Sequence, residues 1–384
     1  MIIKNGHIHD GKGQVFSSPI QIQDGIFKAI HADLSPTADE VVIDAQGLEI
    51  FPAFIPTVSG WGINGSATEI RPSSDDNDEL SDPITPHLDV LYAYNGRAAS
   101  IQQLGAFGLA VAGVAPTDNN LFGGTMAVFE VDGVNPFDMC VKSPVGMKAS
   151  VSNHLKIAYG KRNIAPMTKM WIFQQLGEQF RAAKEYKYEE GKERNVKAEA
   201  LQKVLRKELP LFLSCDSEQD ALHAYQILKE YDIDLVLCNG YGLTKDSTWL
   251  IDNDIPLVVR SESMTMQKED THVDLEAIAS LYEKGLKVAL SGTEDNWQSR
   301  DALLWQAINM MKILRDENKV LPMITSTPAQ LLSIDQLTGS IEEGKRADFV
   351  LWSKNPLESY QAEIITTFMN GQVIYKKGDE MRCM

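Results

Sequence analysis

The chain has 384 residues, 43% of them hydrophobic and 23% charged, which is enough for one large domain with a full core and a small second domain. Its net charge of −17 argues against binding to nucleic acid or to an anionic membrane, because the phosphates of both would be repelled. No apolar run approaches membrane-spanning length, no signal peptide is visible, and the four cysteines have no paired spacing. These features predict a cytoplasmic protein.

Both ends of the chain read as short strands joined by tight turns. In residues 1–50, alternating apolar positions flank Asn5-Gly6 and Asp24-Gly25, dipeptides that are typical of hairpin turns. The C-terminal end repeats this pattern, with apolar runs on either side of Asn370-Gly371. We therefore expect residues 1–50 and 335–384 to form one small composite β-sandwich domain.

The middle of the chain, residues 51–334, alternates buried strands with helices. The apolar run 211–215 is followed by a helical pattern over 220–231, with Ser217 placed to cap that helix. Similar apolar runs recur further along the chain, and each is separated from the next by a helical stretch. Continuous apolar strands between helices predict a parallel sheet covered on both faces, and this length favours a (β/α)8 barrel. Two insertions are expected on the surface, an acidic loop over 73–82 and a charged helix over 186–207.

Several motifs resemble those of a known superfamily. The most specific is the stretch 338–350, Thr-Gly-Ser-Ile-Glu-Glu-Gly-Lys-Arg-Ala-Asp-Phe-Val, preceded by Thr327-Pro328-Ala329 and completed by 370–375. With these motifs the chain resembles the amidohydrolase superfamily, in its imidazolonepropionase-like branch, almost from end to end. Inside the barrel, the motifs at 82–87, 123–124 and 146–148 also match this branch. The resemblance implies an α/β fold, a distorted (β/α)8 TIM barrel with a small β-sandwich domain formed by both termini.

The resemblance also implies a divalent metal at the carboxyl-terminal mouth of the barrel, which activates a water for attack. The family holds this metal with two histidines on strand 1, one histidine on each of strands 5 and 6, and an aspartate on strand 8. The matched positions here are Val58, Gly60, Ser214, Asn239 and Thr293. None of these five residues is a good zinc ligand, so we expect no metal cofactor.

Other polar residues remain at the expected mouth. His87, Lys148, Asp216, Glu294 and Asp295 are candidates for a polar pocket, because loops at a barrel mouth gather side chains from distant parts of the sequence. The alternative is that they are loop charges facing water.

Two further groups are assigned structural roles. His7-Ile8-His9 has metal-ligand spacing but lies on a strand of the small domain, which favours a polar strand face. Cys215 and Cys238 lie near the ends of adjacent strands without a histidine beside them, and are expected to be buried structural residues.

Two functional hypotheses follow, and whether the chain is an enzyme stays open between them. In the first, the fold persists but metal-dependent hydrolysis is lost, which leaves a pseudoenzyme with a binding or assembly role. Its partner would then be a second copy, or an intact homologue in a hetero-oligomer. In the second, the chain is an active hydrolase of a cyclic amide or another non-peptide C–N bond, with Asp216, Lys148 and Glu294 doing the acid–base work. The loss of all matched ligands favours the first hypothesis.

Overall fold

The computed structural model describes residues 1–37, 40–63, 76–98, 100–101, 103–260, 273–292 and 300–378. Within these ranges, none of the helices is both long and apolar enough to cross a membrane. Of the positions considered above, 73–75, Thr293, Glu294, Asp295 and one of the four cysteines, Cys383, lie outside the described ranges.

The N-terminal part of the chain is a series of short strands, as predicted. Asn5 and Asp24 both adopt positive φ, of 60° and 52°, which Asn and Asp tolerate in tight turns better than most residues do. The strands are β1 (Ile2–Lys4), β2 (His7–His9), β3 (Val15–Phe16), β4 (Ile20–Gln23), β5 (Ile26–Ile30), β6 (Val42–Asp44) and β7 (Glu49–Pro52).

The central part is built on one seven-stranded sheet, ordered β14-β13-β12-β11-β10-β9-β8. Its strands are β8 (Val111–Val114), β9 (Phe122–Glu130), β10 (Cys140–Ser150), β11 (Leu211–Ser214), β12 (Leu235–Cys238), β13 (Leu257–Arg260) and β14 (Val288–Gly292). Strands β10 to β14 pair in parallel throughout, which confirms the prediction for this part of the sheet. Strand β9 runs antiparallel to both of its neighbours, because the connections on either side of it are too short for a crossover.

Helices follow most of the central strands. They are α1 (Pro136–Met139), α2 (Asn153–Gly160), α3 (Lys169–Glu185), α4 (Val196–Leu205), α5 (Glu218–Leu228), α6 (Trp249–Asp252), α7 (Leu275–Glu283), α8 (Ala302–Leu314), α9 (Glu317–Ile324) and α10 (Ser326–Leu331). The predicted cap is present, since the Ser217 side chain accepts a hydrogen bond from the Asp220 N–H at the start of α5. The predicted helix over 186–207 is wrong in its first half. Asn195 caps α4, so the helix begins only at Val196.

The C-terminal strands β15 (Phe349–Trp352), β16 (Ile364–Met369) and β17 (Gln372–Lys376) join strands from the N-terminus. One sheet has the order β17-β16-β15-β7-β2-β3 and therefore mixes both ends of the chain. A second sheet, β5-β4-β1-β6, is entirely N-terminal. Residues of both sheets, among them Ile3, Phe27 and Phe349, pack in one hydrophobic cluster. The boundaries of a separate small domain stay a prediction.

Residues 53–60, which follow β7, run beside the open edge of the central sheet. Phe54 forms a parallel bridge with Leu109, just before β8, and Ser59 forms one with Val114, the last residue of β8. On the other side, the Val58 N–H donates to Ser291 Oγ at 2.8 Å, and the Ser291 hydroxyl donates to the Val58 carbonyl at 2.9 Å. Because Ser291 belongs to β14, this segment contacts both edge strands of the seven-stranded sheet.

Candidate functional site

The strands of the central sheet divide their side chains between two hydrophobic clusters. In β11, Leu211 and Leu213 pack in the large cluster with the surrounding helices, whereas Phe212 packs in a second cluster. This alternation follows from the period of two in a strand, so Phe212 and Ser214 share the inner face of the curled sheet. We call the second cluster the inner core. Its residues are Ile55, Val58, Val111, Ala115, Met126, Val128, Val145, Phe212, Val236, Cys238, Val258, Ala289, Ala329, Leu331, Leu332 and Ile334.

A layer of polar side chains lies above the inner core, at the carboxyl ends of the parallel strands. Lys148 of β10 is fully buried, and its Nζ donates to Asp118 Oδ1, to Ser214 Oγ at 2.9 Å and to the Ala149 carbonyl at 3.2 Å. Arg260, the last residue of β13, donates from Nη1 to Asp118 Oδ2 at 3.1 Å. One buried carboxylate therefore accepts from two cations. We call Asp118, Lys148, Ser214 and Arg260 the inner polar cluster.

The charges of this cluster are fixed by their mutual contacts. Burial alone would raise the pKa of Asp118, but the positive charges of Lys148 and Arg260 outweigh it and hold that pKa well below its ordinary value. The carboxylate therefore stays ionised at neutral pH. Burial raises the pKa of Cys238 to about 11, although the same two cations oppose the shift. Cys238 is consequently a neutral thiol, in agreement with the structural role expected for it.

The described positions matched to metal ligands are all engaged in other contacts. Val58 packs in the inner core, Gly60 is buried, and Ser214 accepts from Lys148. Asn239 directs its amide nitrogen to the Cys215 carbonyl at 3.5 Å. The fifth position, Thr293, lies outside the described residues.

Asn239, the position matched to the strand-6 histidine, is the first residue after β12. Ser214 pairs in register with Cys238, and Asn239 follows with φ of 86°, in the left-handed region, where the chain leaves the strand. Cys238 thus lies at the end of β12 on the same face of the sheet as Ser214.

Asp216, the candidate acid or base, makes contacts that hold the fold together. Its carboxylate accepts from the backbone N–H of Asn153, at the start of α2, and lies 3.8 Å from Lys169 Nζ. Lys169 also pairs with Asp220 at 2.8 Å. These contacts tie β11 to α2 and α3. The contacts of Lys148 are with Asp118 and Ser214 instead, so Asp216 and Lys148 hold different partners.

The remaining predicted pocket residues do not complete a pocket within the described chain. His87 is exposed in the loop before the short 3₁₀ helix Val90–Tyr92. Glu294 and Asp295 fall outside the described residues. His7 and His9 lie in the mixed terminal sheet, where His9 contacts Glu49 and Glu317.

The donor set of the inner polar cluster does not fit a divalent metal. Over the described ranges, no three His, Cys, Asp or Glu side chains gather closely enough to hold a metal ion. Within the cluster both oxygens of Asp118 already accept from cations, and Ser214 Oγ accepts from Lys148. A metal there would have to displace or approach two positive charges. We therefore derive no catalytic step through a metal.

Sequence reasoning missed Asp118 and Arg260, although both carry a recognisable signal. Arg260 ends the apolar run Leu257–Arg260, and a charged residue at the carboxyl end of a barrel strand marks the functional face. Asp118 lies in the polar loop that follows β8, at the same edge of the sheet. A survey of the polar residues at each strand end and in the loop that follows it would find both.

Comparison with known proteins agrees with this architecture. Residues 198–374, just under half of the chain, match the model of the amidohydrolase family. A solved amidohydrolase from Thermotoga maritima MSB8 is 26% identical, with a TM-score of 0.88 over 98% of this chain and 100% of that one. A search of curated proteins found no match.

More distant structures share the fold. The 5-methylcytosine deaminase of Klebsiella pneumoniae is 15% identical, with a TM-score of 0.59 over 99% of this chain and 98% of that chain. An Xaa-Pro dipeptidase with bound methionine is also 15% identical, with a TM-score of 0.61 over 98% and 99%. At this identity the likeness concerns the α/β fold.

Proposed function

We propose that this chain is an amidohydrolase-fold protein of the imidazolonepropionase-like branch that has lost metal-dependent hydrolysis and keeps a binding or assembly role. The observation that carries the proposal is the hydrogen bond from Lys148 to Ser214, at 2.9 Å. Ser214 is the position matched to the strand-5 histidine, so an ammonium group lies where the family places a metal. Lys148 and Arg260 both pair there with the ionised Asp118, so that carboxylate is compensated by side chains of the chain itself.

We also propose that the central sheet closes into an eight-stranded barrel, in which residues 53–60 take the place of the first strand. Two observations support this. The segment bonds to β8 on one side and to Ser291 of β14 on the other. The inner core also draws residues from this segment and from every strand of the central sheet. The two small sheets, which share one hydrophobic cluster, are proposed as a β-sandwich domain built from both termini.

Metal content and turnover test the loss of hydrolysis directly. Untagged protein, purified without chelators or added metal, is analysed by inductively coupled plasma mass spectrometry. It is then assayed with cyclic amides and dipeptides, before and after addition of zinc or manganese. We expect metal far below one ion per chain and no turnover in either condition. Stoichiometric zinc, manganese or iron, or turnover that a chelator removes, contradicts the proposal.

The assembly role needs a separate experiment. We propose that the chain acts in the cytoplasm as a homo-oligomer, or as a hetero-oligomer with an intact homologue. Light scattering on the purified protein gives its mass in solution, and mass spectrometry of material isolated from its native cells identifies a co-purifying homologue. A monomer that brings no homologue with it contradicts the assembly role.

A second candidate function is metal-free hydrolysis of a cyclic amide or another C–N bond. The same contact favours it, because a lysine within hydrogen-bonding distance of a serine hydroxyl is an arrangement used in serine–lysine hydrolases. Asp216 and Glu294 would supply further acid–base groups. This candidate predicts turnover that Ser214→Ala or Asp216→Asn abolishes while the fold survives. Turnover unchanged in both variants rules out these residues.

A further inference from the structure

A second, partly buried ionic cluster lies away from the barrel interior, between the mixed terminal sheet and helix α9. His9 of β2 is 5% exposed. Its Nε2 lies 2.8 Å from Glu49 Oε2, and its Nδ1 is hydrogen-bonded to Glu317 Oε1. The ring stacks on Phe51, with centroids 4.0 Å apart and an interplanar angle of 14°. Both ring nitrogens therefore have hydrogen-bond partners, and stacking on Phe51 of β7 fixes the plane of the ring.

This geometry requires a protonated ring. Ionised carboxylates only accept hydrogen bonds, so both nitrogens of His9 must donate, which only the imidazolium does. A neutral ring has one N–H, so one carboxylate would then face a lone pair in a buried site. Such an arrangement costs the full desolvation of an unpaired group.

The other polar groups around the ring do not compete with its pairs to Glu49 and Glu317. On α9, the second oxygen of Glu317 accepts from Asn355 Nδ2. On β2, His7 Nδ1 lies 3.4 Å from the second oxygen of Glu49. The chain neighbours Asp10 and Asp316 accept from backbone amides at 2.7–3.0 Å. Glu49 and Glu317 are thus the carboxylates paired with His9.

The contact joins parts of the chain that are 308 residues apart. The turn that follows β2 also lies on the α9–α10 pair, since Ser326 Oγ donates to the Gly11 carbonyl at 2.9 Å. Helix α10 continues into the inner core through Ala329 and Leu331. We propose that His9, Glu49 and Glu317 form a pH-sensitive clasp, which holds the terminal sheet against α9 while the imidazole is protonated and releases it on deprotonation.

The direction of the response follows from the contacts. Burial alone would lower the pKa of His9, but the hydrogen bonds and charges of Glu317 and Glu49 outweigh it and raise that pKa above the ordinary value of 6.5. A group with a raised folded-state pKa stabilises the fold fully below its unfolded pKa. That contribution is lost as the pH rises through the folded-state value. The clasp therefore holds fully below about pH 6.5 and weakens as the pH rises through the raised pKa of His9.

Titration by nuclear magnetic resonance and hydrogen exchange test the clasp. The His9 ring signal should titrate above the ordinary histidine value of about 6.5. Protection of the α9 amides should fall by up to about tenfold per pH unit between that value and the His9 midpoint, after correction for intrinsic exchange, and level off above the midpoint. In His9→Gln that fall should vanish, since glutamine does not titrate. In Glu317→Gln the midpoint should move down, because an amide can donate to a neutral ring nitrogen. His31→Gln serves as the matched control and should behave as the native chain.

Two results overturn the proposal. One is a His9 midpoint at or below the ordinary histidine value of about 6.5 in the native protein, which needs no variant to fold. The other is the same alkaline loss of α9 protection in His9→Gln and in the native chain. Neither result depends on whether the barrel hydrolyses a substrate.

Discussion

Removing the Lys148 ammonium should destabilise the protein strongly. In Lys148→Met, the buried Asp118 carboxylate keeps Arg260 but loses its second cation, and Ser214 loses its donor. Removing one partner of a buried ion pair costs about 3–5 kcal/mol, and because Asp118 keeps Arg260 the loss here should lie near the lower end, at about 3 kcal/mol. A protein of this kind has about 5–15 kcal/mol of stability in all. The loss should lower the urea midpoint by about 1 M or more, measured by tryptophan fluorescence.

The matched control is Lys319→Met, which removes the same group from an exposed pair. Lys319 Nζ lies 2.6 Å from Glu283, and the two side chains are 36% and 49% exposed. Pairs of this kind contribute less than about 1 kcal/mol. If Lys148→Met shifts the urea midpoint no more than Lys319→Met, the inner polar cluster does not hold the barrel interior together, and the reasoning fails.

Three further predictions concern single residues. The stabilisation from Asp118, whose pKa is lowered, should be complete above the ordinary aspartate value of about 3.9 and be lost as the pH falls below it. An Asp118→Asn variant that loses as much stability in acid as the native protein contradicts this. Asp216→Asn should cost about 1 kcal/mol and loosen the start of α2, because asparagine keeps an acceptor for the Asn153 N–H but loses the charge. A loss above about 3 kcal/mol by urea denaturation would be too large for that role. Cys238 should resist iodoacetamide at pH 8 in the native protein, since its pKa is about 11, and peptide mapping that finds it alkylated would refute its burial as a neutral thiol.

Local patterns predicted most elements of the fold. The run Leu211–Ser214, the Ser217 cap and the helix Glu218–Leu228 lie where sequence spacing placed them. Each depends on contacts between residues close in sequence. The direction of β9 was missed, because an apolar strand reads the same whichever way it runs. Only the shortness of its two connections indicates that it is antiparallel.

The candidate site was harder to predict because it depends on where strands end. The positive φ of Asn239, which turns the chain away from β12, is not visible from the residue type alone. Asp118 and Arg260 were missed because each stands alone in its own stretch of sequence. They meet only when strands far apart in the chain place their carboxyl ends at one edge of the sheet.

The hydrogen bonds between Val58 and Ser291 have a consequence for the order of folding. They join residues 233 positions apart, and the inner core collects side chains from every strand between them. Contacts that close such long stretches of chain form late, since the entropy of the intervening loop is lost before they contribute. While the chain is being synthesised and β14 has not yet been made, the inner core is therefore incomplete and exposed to solvent. During that interval, aggregation competes with completion of the fold.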